Sequence, residues 1–270
     1  MIRFRRRFFE LAIPGLAAIL LATVAPAAAQ QSEYPTDEET ERARDAAQIT
    51  AYVWLAGFGG DIRPGAGAPT LRVDKSFGDL LETSDGAFWI SGFVRRNRAV
   101  FMADISRTKS SEEGQVPTGL PTPFPPTVPA NGGLTMTSLT GAAGYRVAQD
   151  DNATLDLLVG ARAWWVRPRL EVPALAVDLR PKANFVDPIV AVRANFSLAP
   201  RLSALVYGDI GGLGVGSEVT GQLSTTLNYR VSRSVVLSGG YRYLAVDYEK
   251  NGILVDARLA GPLIGATITF

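Results

Sequence analysis

The chemistry open to this chain is concentrated in a small set of charged residues. Asp104, Asp156, Asp187, Asp209 and Glu218 are acids, Arg146, Arg162, Arg193 and Arg242 are bases, and Gln222 accompanies them. Each lies on the polar side of a segment in which polar and apolar residues alternate. Brought to one interior, these acids and bases would pair, because a buried charge is costly unless a partner compensates it. Carboxylates can also divide acid and base roles, and Asp187, Asp209 and Asp247 would supply such a site. Composition removes most other chemistry. The 270 residues include no His and no Cys, which excludes a Ser-His-Asp triad, a thiolate nucleophile, disulfides and His- or Cys-ligated metal. Lys and Arg number 27 against 26 Asp and Glu, a balance with no footprint for nucleic acid. The run Gly211–Gly216 lacks the Lys-Ser/Thr of a phosphate loop, and no helical pattern follows it, so it reads as a glycine hairpin. No residue set calls for a metal or a cofactor.

The elements that carry these residues have a period of two. In the segment 218–231, Glu218, Thr220, Gln222, Ser224, Thr226, Asn228 and Arg230 share one face, and Val219, Leu223, Leu227, Tyr229 and Val231 the other. The same alternation recurs in ten segments: about 50–58, 86–96, 98–107, 134–148, 153–166, 185–198, 201–211, 217–231, 234–247 and 254–270. In the first two, the alternation does not settle which way Trp54 and Trp89 point. Short polar turns near 96–97, 149–152, 199–201 and 231–234 alternate with longer connections at about 59–85, 107–133, 167–183, 212–217 and 248–253. Loop lengths sorted by side are a property of outer-membrane barrels. The fold expected is all-β: a transmembrane antiparallel up-and-down barrel of about ten strands, eight or twelve also fitting, with short periplasmic turns and longer extracellular loops. Tyr145, Trp165, Tyr229, Tyr241 and Tyr243 suit interfacial girdles on the lipid face. The six prolines between Val116 and Pro129 predict an extended external loop.

The N-terminus reads as a secretory signal over residues 1–29. Four arginines precede an apolar stretch from Leu11 to Ala25, and Ala27-Ala28-Ala29 place cleavage before Gln30. Removal would leave 241 residues and, with four Arg and one Glu gone, move the net charge from +1 to −2. Residues 30–48 read as an acidic periplasmic linker with a short helix at about 37–47, from the capping-box spacing of Thr36 and Glu39. Residues 49–270 form the barrel.

Three stretches in the C-terminal half then stand together: Val186-Asp187-Pro188, Gly208–Ser217 (GDIGGLGVGS), and Gly240–Tyr248 (GYRYLAVDY) with Gly261-Pro262 after it. With the terminal Phe270 they resemble an uncharacterised family of bacterial outer-membrane barrels. Val73–Leu81 is similar to that family's first long loop. Phe185 and Leu213 stand where the family pattern favours Trp and Phe. The resemblance implies location and architecture and carries no activity.

The expected function is a structural barrel whose lumen is filled by a charge-paired network. A narrow channel for small solutes is the alternative, followed by a His-independent enzyme or a surface adhesin. Expected partners are outer-membrane lipids, the barrel assembly machinery through the last strand and Phe270, and, on the channel reading, a small-molecule ligand.

Overall fold

A computed structural model describes residues 45–68, 70–75, 86–117, 123 and 125–270. The leader, and the linker up to residue 44, lie outside the described residues. Alternating chains with turn residues between them give thirteen strands: β1 (Asp45–Trp54), β2 (Gly57–Arg63), β3 (Leu71–Lys75), β4 (Gly86–Arg96), β5 (Ala99–Pro117), β6 (Thr127–Gln149), β7 (Ala153–Val172), β8 (Val177–Leu179), β9 (Ala183–Ala199), β10 (Leu202–Gly212), β11 (Val219–Arg230), β12 (Val235–Lys250) and β13 (Ile253–Thr269). Every neighbouring pair is antiparallel, and β1 pairs with β13 (Ile49 opposite Ile268) to close the sheet. β1 and β2 are two halves of one stave, interrupted at Leu55-Ala56, since both pair with β13. β3 and β8 are side hairpins. The result is a closed antiparallel barrel of ten staves, the number expected.

Several boundaries differ from expectation. β1 starts at Asp45, so residues 45–48 are barrel strand rather than linker, and residues 45–47 are strand where a helix was expected; the rest of that expected helix lies outside the described residues. The connections expected at 107–133 and 167–183 are largely strand. β5 and β6 pair up to Pro117 opposite Thr127, and β7 runs to Val172. Within the proline-rich stretch, Val116 pairs with Val128 and Gln115 with Pro129. A proline at that position costs one ladder hydrogen bond and leaves the strand extended. The connection at 248–253 shrinks to a two-residue turn at Asn251 and Gly252 (φ 54° and 78°), the geometry that matches strand twist.

The wall has an outward apolar belt. Phe101, Ile105, Leu139, Leu157, Val159, Val186, Val190, Leu227, Leu237 and Ile264 all point away from the interior and are exposed. Tyr145 and Tyr229 border it on the short-turn side and Trp165 on the other, with Tyr241 between.

Above the belt the polarity of the alternation inverts while its phase stays the same. Along β7 the outward residues change from Leu157, Val159 and Trp165 to Arg167, Arg169 and Glu171. The inward ones change from Asp156 and Arg162 to Trp164, Val166, Leu170 and Val172. β6 makes the same exchange between Ser138 and Met136. The lower barrel is thus apolar outside and polar inside. The upper barrel is built like a soluble one, around Trp54, Phe58, Trp164, Val166, Leu244, Val246, Val255 and Leu259.

Candidate functional site

The polar lower interior is the site, and its side chains fall into three groups. The first lies nearest the short turns. Asp156 on β7 is opposite Arg146 on β6 and Arg193 on β9 in strand register. Arg146 donates to both carboxylate oxygens, Nε to Oδ1 at 2.7 Å and a terminal nitrogen to Oδ2 at 3.2 Å. Arg193 donates to Oδ2 at 3.2 Å and lays its guanidinium over the Phe93 ring at 3.9 Å. One carboxylate therefore holds two arginines, and the second is also neutralised by a ring face from across the barrel.

The second group reaches over β9 and runs on around the inner wall. Arg162 on β7 forms a bidentate pair with Asp209 on β10, at 3.0 and 2.6 Å. Its Nε donates to Thr140 Oγ1 at 3.0 Å, and it touches Gln222 Oε1 at 3.4 Å. That amide oxygen also accepts from Arg242 at 2.6 Å. Arg242 is sandwiched between indole rings, 4.6 Å from Trp54 and 4.1 Å from Trp89, and Tyr52 stacks on Trp89 at 4.7 Å. Asp104 is inward and 2% exposed, yet neither carboxylate oxygen has a hydrogen-bond partner among the described residues. The Tyr207 hydroxyl, Gln222 Nε2 and the remaining Arg242 nitrogens are likewise buried without one.

Asp187 makes the third group, and its role differs from the ion pairing expected. It is opposite Arg162 in register, but its partners are neutral. Trp164 Nε1 donates to Oδ2 at 2.9 Å, the Ser217 hydroxyl to Oδ2 at 2.9 Å, and the Ser217 backbone N–H to Oδ1 at 2.6 Å. The glycine hairpin is thereby folded inward over the carboxylate. A Cβ on Gly216 would lie 2.4 Å from Asp187 Oδ1, which explains a glycine there. The Asp-Pro step and the glycine-serine hairpin, distant in sequence, form one structural unit.

Glu218 is a correction. It is exposed at the head of the hairpin, before β11 begins, and stands outside this interior. Of the ten residues singled out, Asp156, Arg146 and Arg193 meet in one cluster, and Arg162, Asp209, Gln222 and Arg242 in another. Asp104 faces the interior near Arg242 and Arg162 without a hydrogen bond to them, and Asp187 serves the hairpin. Asp187 and Asp209 are each held by separate donors, and Asp247, the third carboxylate of that candidate set, lies apart from them, opposite Asp256 on β13 in strand register. Trp54, Trp89, Phe93, Thr140 and Ser217 were not anticipated. An aromatic on a face shared with polar residues is the signal for Trp54 and Trp89, but the interruption of the first stave hides it for Trp54, and the apolar residues on both faces of β4 hide it for Trp89.

Neither a protein-family model nor a curated protein matches the chain. Solved structures do. The outer membrane protease OmpT from Escherichia coli aligns with TM-score 0.52 at 10% identity, over 84% of this chain and 97% of that one. The translocator domain of the autotransporter NalP from Neisseria meningitidis aligns at 0.47 and 8%, over 83% and 88%. The attachment invasion locus protein Ail of Yersinia pestis aligns at 0.39 and 12%, over 83% and 99%. The chain has the fold of an outer-membrane β-barrel.

Proposed function

We propose that the chain is a structural barrel of the bacterial outer membrane with a sealed lumen. The carrying observation is the packed interior: Arg162 on β7 reaches past β9 to Asp209 on β10 and touches Gln222 on β11, Gln222 accepts from Arg242 on β12, Arg242 lies against Trp54 of β1 and Trp89 of β4, and the apolar core around Trp164 and Leu259 lies above. A barrel of about ten strands has room for little more than its own side chains. The exposed apolar belt supports the membrane location, as does the leader read from residues 1–29 with cleavage near Ala29-Gln30. Phe270, outward and 76% exposed at the end of the closing strand, supports recognition by the barrel assembly machinery. The protease named among the structural neighbours, at 10% identity, lends only its fold.

Planar-bilayer recording of purified, heat-modifiable protein tests the reading. No conductance step above background is expected. Reproducible ohmic steps would overturn the sealed lumen and favour the narrow channel.

A further inference from the structure

The outward face of β5–β7 and the β8–β9 connection carries a cationic cluster that the sealed-barrel reading does not use. In strand register, Arg107, Thr137 and Trp165 form one row, Lys109, Thr135 and Arg167 the next, and Ser111, Gly133 and Arg169 the one above. The row below the first is Ile105, Leu139 and Ala163, the upper edge of the apolar belt. Successive rows on one face are about 7 Å apart, so these charges stand within one or two rows of the hydrocarbon boundary. Arg180 and Lys182 join Lys109, Arg167 and Arg169 around a surface cavity of about 1020 Å³, where these five cations face three acids, Asp74, Glu113 and Glu171.

Charge compensation is incomplete. Glu171 pairs with Arg169 and Arg180, and Asp178 pairs with Arg180. Arg167 donates only to neutral oxygens, those of Val166 and Asn184. Arg107, Lys109 and Lys182 make no ion pair among the described residues. Between the cationic flanks the middle strand offers only Gly133 and Thr135, so the floor of the patch is low. The opposite wall has the reverse character. Above the Tyr243 row, Asp247, Asp256 and Asp61 lie side by side across β12, β13 and β2.

We propose that this face binds the phosphate groups of an anionic glycolipid in the leaflet on the long-loop side. The inference rests on the membrane-spanning reading, which sets the apolar belt in hydrocarbon and the cations at headgroup depth. The chemistry is that of doubly charged phosphate between Lys and Arg side chains, with Trp165 anchoring the interface beneath.

The test uses the full mature chain, folded in phosphatidylcholine vesicles and checked first by heat-modifiable migration. Vesicles doped with bis-phosphorylated lipid A are compared with vesicles doped with its dephosphorylated form, and the apparent affinity is read from the rise in melting midpoint. The phosphorylated form should raise the midpoint, and added salt should reduce the rise. Lys109→Glu with Arg167→Glu should weaken the apparent affinity about tenfold or more. Arg230→Glu, on the short-turn rim, should leave it unchanged. Failure of the unmodified chain to give a heat-modifiable band in any vesicle would strike at the barrel reading itself. A folded barrel indifferent to the lipid phosphates would overturn only this proposal. So would inorganic phosphate at millimolar concentration giving the same rise without lipid A.

Discussion

The lower and upper halves of this barrel's interior solve the same packing problem with opposite materials. The lower half is bounded outside by the apolar belt, so its hydrophobic residues are spent on the outer surface and polar ones are left to fill the inside. It closes through Arg146, Arg162 and Arg193 on their carboxylates. The upper half stands clear of that belt, turns its charges outward and packs Trp54, Trp164, Val166, Leu244 and Leu259 as an ordinary core. The junction is occupied by residues that belong to both: Arg242 between two tryptophans, and Trp164 donating to Asp187. One alternation with one phase serves both regimes, with the apolar face outward along the belt and inward above it.

The comparison breaks first at Arg162. Arg162→Met leaves Asp209 buried without its bidentate partner. We expect the heat-modifiable transition to be destabilised by about 3–5 kcal/mol. Combining it with Asp209→Leu should recover most of the loss, since removing both charges removes the desolvation cost as well as the attraction. If the double variant is no more stable than the single, direct pairing is not what holds the lower interior.

In the upper half Leu259→Ala should cost roughly 3 kcal/mol by cavity formation. It should loosen the extensions of β5–β7 to protease while the part bounded by the apolar belt stays folded. Equal exposure of both halves in limited proteolysis would show that they unfold as one unit.

At the junction, Asp187→Asn turns one acceptor oxygen into a donor facing the donors of Trp164 and Ser217. A loss of about 1–3 kcal/mol is expected. Faster hydrogen exchange should be confined to residues 212–218.

The smallest effect lies on the outer surface. Arg180 donates to Asp178 at 2.9 Å and holds that carboxyl below the usual carboxylate range. A carboxyl with a depressed value contributes stability above its ordinary titration range and loses it as the pH falls through the depressed value. Arg180→Ala should return Asp178 to the ordinary range, read by NMR titration. Because the pair is fully exposed and screened by salt, the melting midpoint should barely move.

Much of the architecture was legible along the chain. The polar face of 218–231 placed Gln222 inward, and the face of 153–166 placed Asp156 and Arg162 inward, because strand alternation is a local property. The opposition of Asp156 to Arg146 followed from a short turn, which sets register between adjacent strands. The strand extensions beyond 107 and 166 were hidden because the polarity inversion there looks like loop composition. Trp54 was hidden because its stave is interrupted at Leu55-Ala56, and Trp89 because β4 carries large apolar residues on both faces, Phe88 and Ile90 outward and Trp89 and Phe93 inward.

By itself, the sequence determined the period, a strand number of about ten, the phase of inward and outward residues in most segments, and the side on which the long connections lie. All of these are written in neighbouring residues and turns. Tertiary structure alone decided who meets whom across the interior. Arg162 faces Asp187 in strand register, yet its guanidinium reaches past β9 to Asp209, and Asp187 is drawn instead to the hairpin at Ser217. Barrel closure staggers the strands and tilts them against the axis, so residues on non-adjacent staves are brought together by curvature and shear. Those quantities exist only once all ten staves have closed.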